Sequence, residues 1–406
     1  MNGPFQAVKL TDRVYWVGAI DWELREFHGY QTPRGTTYNA FLILADKITL
    51  VDTVKKPFKD EMLSRIASVI NPADVSYIIS NHAEMDHSGC LPDMIGISKP
   101  EKVLASAMGV KALQEHFHMN GGIQAVKDGE AISLGGASLQ FFETRMQHWP
   151  DSMVCYLADD RLLFSQDAFG MHLATSERFD DQVPDHVLEY EAGKYYANIL
   201  MLFAGVIEKT LQKLRALEDR IDMIVPDHGP IWRKNPKRIL ELYGKWVRRE
   251  VSKKVLITYD TMWHSTSLMA SAIAEGVAAE GAQAKVMPLA GAHRSDVAAE
   301  LLDAAALVVG SPTLNQTLLP TVADVLTYLK GLKPRNLVGA SFGSYGWGRG
   351  AVHELDDALE AMNVELVREG LRIKYVPDAA ALGKCVDLGR TVARRAIDLC
   401  NQQNQK

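Results

Sequence analysis

The sequence predicts two α/β domains in succession, the first built from two sheets with helices outside them and the second a doubly wound parallel sheet. Three observations carry this. Short apolar runs ended by polar turns crowd residues 1–250, a regular alternation of strand-like and helix-like segments fills residues 254–400, and a polar, basic helical stretch lies between them.

In the first part the strand-like runs are 13–18, 40–51, 75–80, 102–105, 137–143, 153–158, 161–165 and 222–226, with helical patterns such as 57–70 and 107–118 between them. Residues 236–253 read as a Lys- and Arg-rich helix ending near Ser252-Lys253-Lys254, and the domain boundary is placed there, giving domains 1–250 and 251–406. Beyond it come strand 254–259, helix 266–280, strand 284–289, helix 295–303, strand 306–310, helix 320–331, strand 336–341, helix 350–362, strand 371–375 and helix 386–400. Strands that each wait for a helix before the next can pair only as a parallel sheet. The polar tail 401–406 is expected to fray.

With 406 residues the chain exceeds one comfortable domain, and 47% hydrophobic with 23% charged content is that of an ordinary globular protein. The longest apolar runs, such as 303–310, fall well short of the roughly 18 residues of a membrane span. No basic start followed by an apolar stretch opens the chain, so a cytoplasmic protein is expected. A net charge of −6 with no basic stripe argues against nucleic acid as a partner. Cys90, Cys155, Cys385 and Cys400 form no close pair, which excludes a CxxC motif and a Cys-only metal site in this chain and suits a reducing compartment.

The densest chemistry lies in Asn81-His82-Ala83-Glu84-Met85-Asp86-His87, at the end of an apolar strand. On an extended chain alternate residues share a side, so His82, Glu84 and Asp86 would project together and His87 would reach elsewhere, toward a second ion. His148, Asp167 and His228 stand at the ends of later strands. Mixed imidazole and carboxylate donors suit iron, zinc or manganese. Glu84, Asp86 and Asp167 bring three negative charges, which with one hydroxide offset two divalent ions, and Asp167 could bridge them. Taken singly, His148 and His228 read more readily as satisfied core histidines, and Asp52 as a structural acid at a strand end.

A second constellation follows strand 254–259: Thr261-Met262-Trp263-His264-Ser265-Thr266 runs into a helix N-terminus, where backbone N–H groups, the helix dipole and three hydroxyls can hold a phosphate. The same Ser and Thr residues could instead serve only as helix caps. Ser311-Pro312-Thr313-Leu314-Asn315 and Ser344-Tyr345-Gly346-Trp347-Gly348 follow the third and fourth strands, and three such loops at neighbouring strand ends would surround one flat cofactor. Tyr345 or Trp347 could cover its face.

His82-x-Glu84-x-Asp86-His87 followed by His148, Asp167 and His228 resembles the metallo-β-lactamase fold as used by flavodiiron proteins, and residues 251–406 resemble a flavodoxin domain. The resemblance implies an N-terminal metallo-β-lactamase-like αββα sandwich followed by a flavodoxin-like domain binding FMN. It also implies two bridged irons, one held by His82, Glu84 and His148, the other by Asp86, His87 and His228, with Asp167 between them. Hydrolytic members of the fold usually carry His where this chain has Glu84, and His264 replaces the Gly common in the phosphate loop. Phe27-His28-Gly29-Tyr30 and Lys194-Tyr195-Tyr196 look like family segments lining the substrate pocket, which implies that His28 and one of the two tyrosines, with Tyr195 the candidate and Tyr196 the alternative, hydrogen-bond or protonate a bound diatomic. Met85, Trp149 and Phe169 are expected to pack around the site. The implied activity is reduction of O2 to water, NO to N2O, or both, in a homodimer or dimer-based homo-oligomer. Electrons would come from rubredoxin or reduced coenzyme F420, because no third domain is visible. A zinc hydrolase of the same fold and a non-catalytic O2 or NO sensor are the competing readings.

Overall fold

The computed structural model describes residues 3–348 and 350–403. The chain divides at Gly244/Lys245 into two compact units, except that Gly29–Gln31 and Tyr196–Leu202 belong to the second.

In the first unit a seven-stranded sheet runs in the order Val8–Lys9, Val14–Trp16, Phe41–Ile43, Thr49–Val51, Tyr77–Ser80, Lys102–Ser106, Gln124–Val126, antiparallel at first and parallel from Thr49–Val51 onward. A five-stranded sheet follows the order Ala131–Ser133, Ser138–Glu143, Met153–Leu157, Leu162–Gln166, Met223–Pro226, with only its last pair parallel. Alternation along the strands sorts the residues. Phe41, Ile43, Val51 and Ile79 meet Leu139, Phe141, Cys155 and Phe164 in the core between the sheets. Leu42, Leu50 and Ile78 point the other way, onto Met62 and Ile66 of helix Lys59–Ala67, Leu91 and Met94 of helix Leu91–Ser98, and Leu113 of helix Ala107–Phe117. That is the sandwich fold, with helices covering an outer face. The run 40–51 is not one strand, because Ala45-Asp46-Lys47 turns the chain and Phe41–Ile43 pairs back on Thr49–Val51.

The second unit is one parallel sheet in the order Gln283–Pro288, Ser252–Tyr259, Ala304–Gly310, Val338–Tyr345, with Glu365–Leu366 and Leu371–Lys374 both on the last of these. In chain order this is 2-1-3-4-5, the flavodoxin-like arrangement. Helices Ser265–Ala279 and Ala379–Gln403 cover one face through Met269, Ile273, Val277, Leu388, Val392 and Ala396. They approach closely because Gly276 and Gly389 carry no side chain; a Cβ there would run into the Val386 and Ile273 carbonyls.

Several boundaries differ from those expected from the sequence. The basic helix is Pro236–Arg248, stopped by Arg249 at φ 55°, and Ser252 already begins the next strand. The fourth strand runs on to Tyr345, because Ser344 and Tyr345 pair with Ile373 and Lys374. The final helix starts at Ala379, where Asp378 Oδ1 accepts the Ala381 N–H at 2.8 Å. It continues to Gln403, whose carboxamide accepts from Val251 N and donates to Arg249 O, both at 3.0 Å, so residues 401–403 do not fray. Residues 404–406 of the tail lie outside the described residues.

The upstream segments are held within the second unit by specific bonds. Arg294 Nε donates to Gly29 O at 3.1 Å, Gln31 N donates to Ser295 Oγ at 3.2 Å, and Asn198 Nδ2 donates to Ser295 O at 3.1 Å. Among the described residues no helix is long and apolar enough to cross a membrane.

Candidate functional site

Strand Tyr77–Ser80 ends one residue before the dense cluster. Asp52, at φ 55°, fixes the turn: its Oδ1 accepts Asn81 N at 2.7 Å and its Oδ2 accepts Asn81 Nδ2 at 2.8 Å. The chain then stops being extended. Met85–Ser88 is a helical turn, so Asp86 does not share a side with His82 and Glu84 as strand alternation predicts. Helical geometry instead turns Asp86 and His87 together toward His228.

Two donor groups result: His82, Glu84, His148 and Asp167, and Asp86, His87 and His228. His82 Nε2 lies 3.2 Å from Glu84 Oε2 and 3.4 Å from Asp167 Oδ2, and His148 Nε2 lies 3.2 Å and 2.9 Å from the same two oxygens. On the other side, His87 Nε2 and His228 Nε2 are each 3.3 Å from an Asp86 oxygen and 3.2 and 3.5 Å from Asp167 Oδ1. Asp167 thus presents one oxygen to each group. Separations of this size are the edges of coordination polyhedra with bonds of about 2.1 Å.

Both oxygens of Asp86, Nε2 of His87 and Oδ1 of Asp167 are buried with no hydrogen-bond partner among the described residues. Such atoms are costly unless something binds them, and two cations meet the requirement. The residues present therefore fit a pair of metal ions.

Electrostatics agree. Burial alone would lower the His82 pKa, but hydrogen bonds to Asp151 and Glu84 hold it well above the usual imidazole value. His87 is pushed up to about 10, against burial, by Asp86, Asp167 and Asp227. Burial would raise Glu84 and Asp167, yet the neighbouring histidines keep both below the carboxylate range. The field is one that concentrates positive charge.

Groups not anticipated from sequence orient the imidazoles. His82 Nδ1 meets Asp151 Oδ2 at 3.2 Å, His87 Nδ1 faces Asp227 Oδ2 at 3.7 Å, and His228 Nδ1 donates to Thr37 O at 2.6 Å. His172 stacks on His228 and Tyr195, its ring centroid 4.7 and 5.1 Å from theirs. No spacing rule marks these residues, since each comes from a different segment.

His28 sits at the mouth, 71% exposed, with Nε2 3.1 Å from Glu84 Oε1. Tyr195 is buried with its ring 6.0 Å from His228, whereas Tyr196 belongs to the second unit and packs on Trp246. Trp149 meets His82 edge-on at 5.1 Å, and Phe169 is buried against Tyr243. Met85 does not pack inward; more than half exposed, it lines an open cavity of about 750 Å³ with Leu24, Phe27, Glu84, Phe117 and Trp149.

In the second unit, the loop after Ser252–Tyr259 leads to helix Ser265–Ala279, with His264 at φ 63°. That left-handed backbone is the physical reason glycine suits the position. A cavity of about 590 Å³ at the strand ends is lined by Met262, Trp263, Ser265, Pro312, Thr313, Asn315, Ser344, Tyr345, Gly346, Trp347 and Gly348, joined by Gln316, Tyr375 and Val376, which the sequence reading did not include. Trp263 and Trp347 are both 89% exposed, wide apolar plates at its rim. Of the remaining loop residues, Thr266 Oγ1 meets Ser344 Oγ at 3.2 Å, and Ser311 Oγ is engaged by Pro312 O and Leu319 N. Leu314 pairs its backbone with Thr317, and His264 and Thr261 belong to the same loop without being among the residues that line the cavity. Thr261 Oγ1 is buried with no partner among the described residues. An orphaned hydroxyl beside a helix N-terminus fits a phosphate, and a cavity with aromatic plates fits a flat ring, so the residues fit FMN.

Comparison with known proteins agrees with both units. A family model described as ODP family beta lactamase matches residues 36–229, and a flavodoxin model matches residues 257–389. The nitric oxide reductase of Moorella thermoacetica is 45% identical, the similarity covering 97% of this chain and 100% of that protein. The rubredoxin-oxygen oxidoreductase of Megalodesulfovibrio gigas is 43% identical over 96% of this chain and 98% of its own length. A flavodiiron protein from Giardia intestinalis superposes with a TM-score of 0.96 at 31% identity, over 99% of each chain.

Proposed function

The chain belongs to the flavodiiron protein family, and we propose on that premise that it reduces O2 to water, NO to N2O, or both, at a di-iron site supplied with electrons by FMN. The observation that carries this reading is a single carboxylate, Asp167, offering one oxygen to each of two imidazole–carboxylate groups in a chain that also has the flavodoxin strand order. When bound, FMN supplies electrons singly or in pairs and the irons supply two adjacent redox centres.

The protein's own residues do the rest. His82, Glu84 and His148 would hold one ion and Asp86, His87 and His228 the other, with Asp167 shared between them. Asp151 and the Thr37 carbonyl hold His82 and His228 so that Nε2 faces inward, and the Asp227 carboxylate faces Nδ1 of His87 at 3.7 Å. Leu24, Phe27, Met85 and Phe117 give the cavity apolar walls, which admit an uncharged gas without a desolvation cost. His28, which lines that cavity, and the buried Tyr195, its ring 6.0 Å from His228, are the donors of hydrogen bonds or protons in this reading.

A rubredoxin-type carrier is the electron donor in this proposal, with reduced coenzyme F420 the alternative, and the protein works in the cytoplasm as a homodimer or dimer-based homo-oligomer. Dimer formation is supported by the exposed Trp263 and Trp347, which a second copy would cover. The test is direct. Purified protein should contain about two irons and one FMN per chain and consume NO or O2 with reduced rubredoxin; full zinc occupancy without iron would sink the proposal. Light scattering reads the oligomeric state, and parallel assays with reduced F420 decide the donor.

A further inference from the structure

The two donor groups are matched in kind. Each has two imidazoles, one carboxylate of its own and one oxygen of Asp167. They differ in Glu84 against Asp86, and also in what touches the carboxylate they share. Gln166 Nε2 donates to Asp167 Oδ2 at 2.9 Å, on the side of His82, Glu84 and His148. Asp167 Oδ1, on the other side, has no hydrogen-bond partner among the described residues.

This contact is built into the backbone. Neighbouring side chains on a strand leave on opposite faces, so Gln166 and Asp167 would ordinarily diverge. The register against Met223–Pro226 slips between Phe164 and Gln166, and Gln166 takes φ 58°, the left-handed region. The Gln166 carbonyl accepts Asp227 N at 3.0 Å, which holds the bend. An ionised carboxylate can only accept, so the amide end turned toward it is the NH2. Gln166 is fully buried, and water does not compete for the bond.

We propose that Gln166 makes the two metal positions inequivalent: by donating to Oδ2 it draws charge from the oxygen facing His82, Glu84 and His148, and that position holds its ion more weakly and loses it first. Gln166 acts through Asp167 and is a positioning residue. His28, donating to Glu84 Oε1, biases the same side. The inference rests on the di-iron reading, and iron content tests that reading separately.

The experiment uses the intact protein loaded with two 57Fe ions. In the reduced wild type, Mössbauer spectra should resolve two distinct ferrous environments, and an excess of a ferrous chelator should remove iron in two phases whose rates differ about tenfold or more. Gln166→Met and Gln166→Leu both remove the donor, the first with little change of length. In either, the fast phase should slow until the two rates lie within about threefold. FMN content and circular dichroism report whether each variant is folded. A folded, fully loaded variant that keeps the wild-type ratio overturns the proposal. So does a wild type that shows one environment and one phase, a result that decides the matter even if neither variant folds. Iron far below two per chain in the wild type would instead overturn the di-iron reading.

Discussion

Replacing Thr261 by valine should act on FMN affinity and on the stability of the FMN-free protein with opposite signs. The Thr261 hydroxyl is buried without a hydrogen-bond partner among the described residues, in the loop leading to helix Ser265–Ala279. A buried, unpaired polar group costs about 1–3 kcal/mol, and a hydrogen bond to a charged partner contributes about 1.5–3 kcal/mol. Valine keeps the branched shape and removes the hydroxyl. The FMN-free Thr261→Val protein should therefore be more stable by about 1 kcal/mol, since it no longer buries an unmet donor. Its FMN affinity should fall about 10- to 150-fold, the equivalent of losing one charge-assisted bond to the phosphate. Fluorescence quenching on refilling the deflavinated protein measures the affinity. Urea denaturation of the same preparation, followed at the flavin half's own transition, measures the stability. Affinity within twofold of wild type, or a less stable FMN-free variant, would show that the hydroxyl does not face the phosphate.

Asp151→Asn removes the charge from the carboxylate shared by His82 Nδ1 and Ala83 N, and iron affinity should drop about 10- to 100-fold in chelator competition with FMN content unchanged. Equal affinity would mean that other contacts orient His82. His87→Ala takes away a donor that lies 3.3 Å from Asp86 and 3.2 Å from Asp167. Iron should fall toward one per chain by elemental analysis, and two retained irons would remove His87 from the ligand set. Loading the metal-free protein should release protons, because His87 is pushed up to about 10 and His82 and His148 are raised in the same direction by the surrounding carboxylates, so an ion must displace protons to bind. Affinity should accordingly rise between pH 6 and 8, with proton release visible to an indicator dye in weak buffer; a pH-independent affinity would contradict the charge assignment.

How much of this the sequence disclosed varied with the physics involved. Parallel strands buried on both faces announce themselves as apolar runs, so Ser252–Tyr259 and Ala304–Gly310 were readable, and with them the flavodoxin order. Val338–Tyr345 was read short because Gly343 and Ser344 look like loop residues, while their strand character comes from pairing with Arg372 and Ile373. The short Glu365–Leu366 strand exists only through its neighbour. At the metal centre, density of donors made residues 82–87 conspicuous. The way they divide was not legible from alternation, because a helical turn at Met85–Ser88 breaks the period of two. Asp151, Asp227 and His172 were invisible for another reason. Each is an ordinary residue until the fold sets it against a histidine from a distant strand.

The bonds that hold Gly29–Gln31 also impose a wait during synthesis. The Gly29 carbonyl and the Arg294 guanidinium are 265 residues apart, and Gln31 N and Ser295 Oγ are 264 apart. A ribosome adding about 5–20 residues per second needs roughly 13–53 s to cover that distance. During that interval the first sheets can already close around their core, since their strands lie upstream of Gly244. Gly29–Gln31 then gains its bonds to Arg294 and Ser295 only when the flavin half has been made.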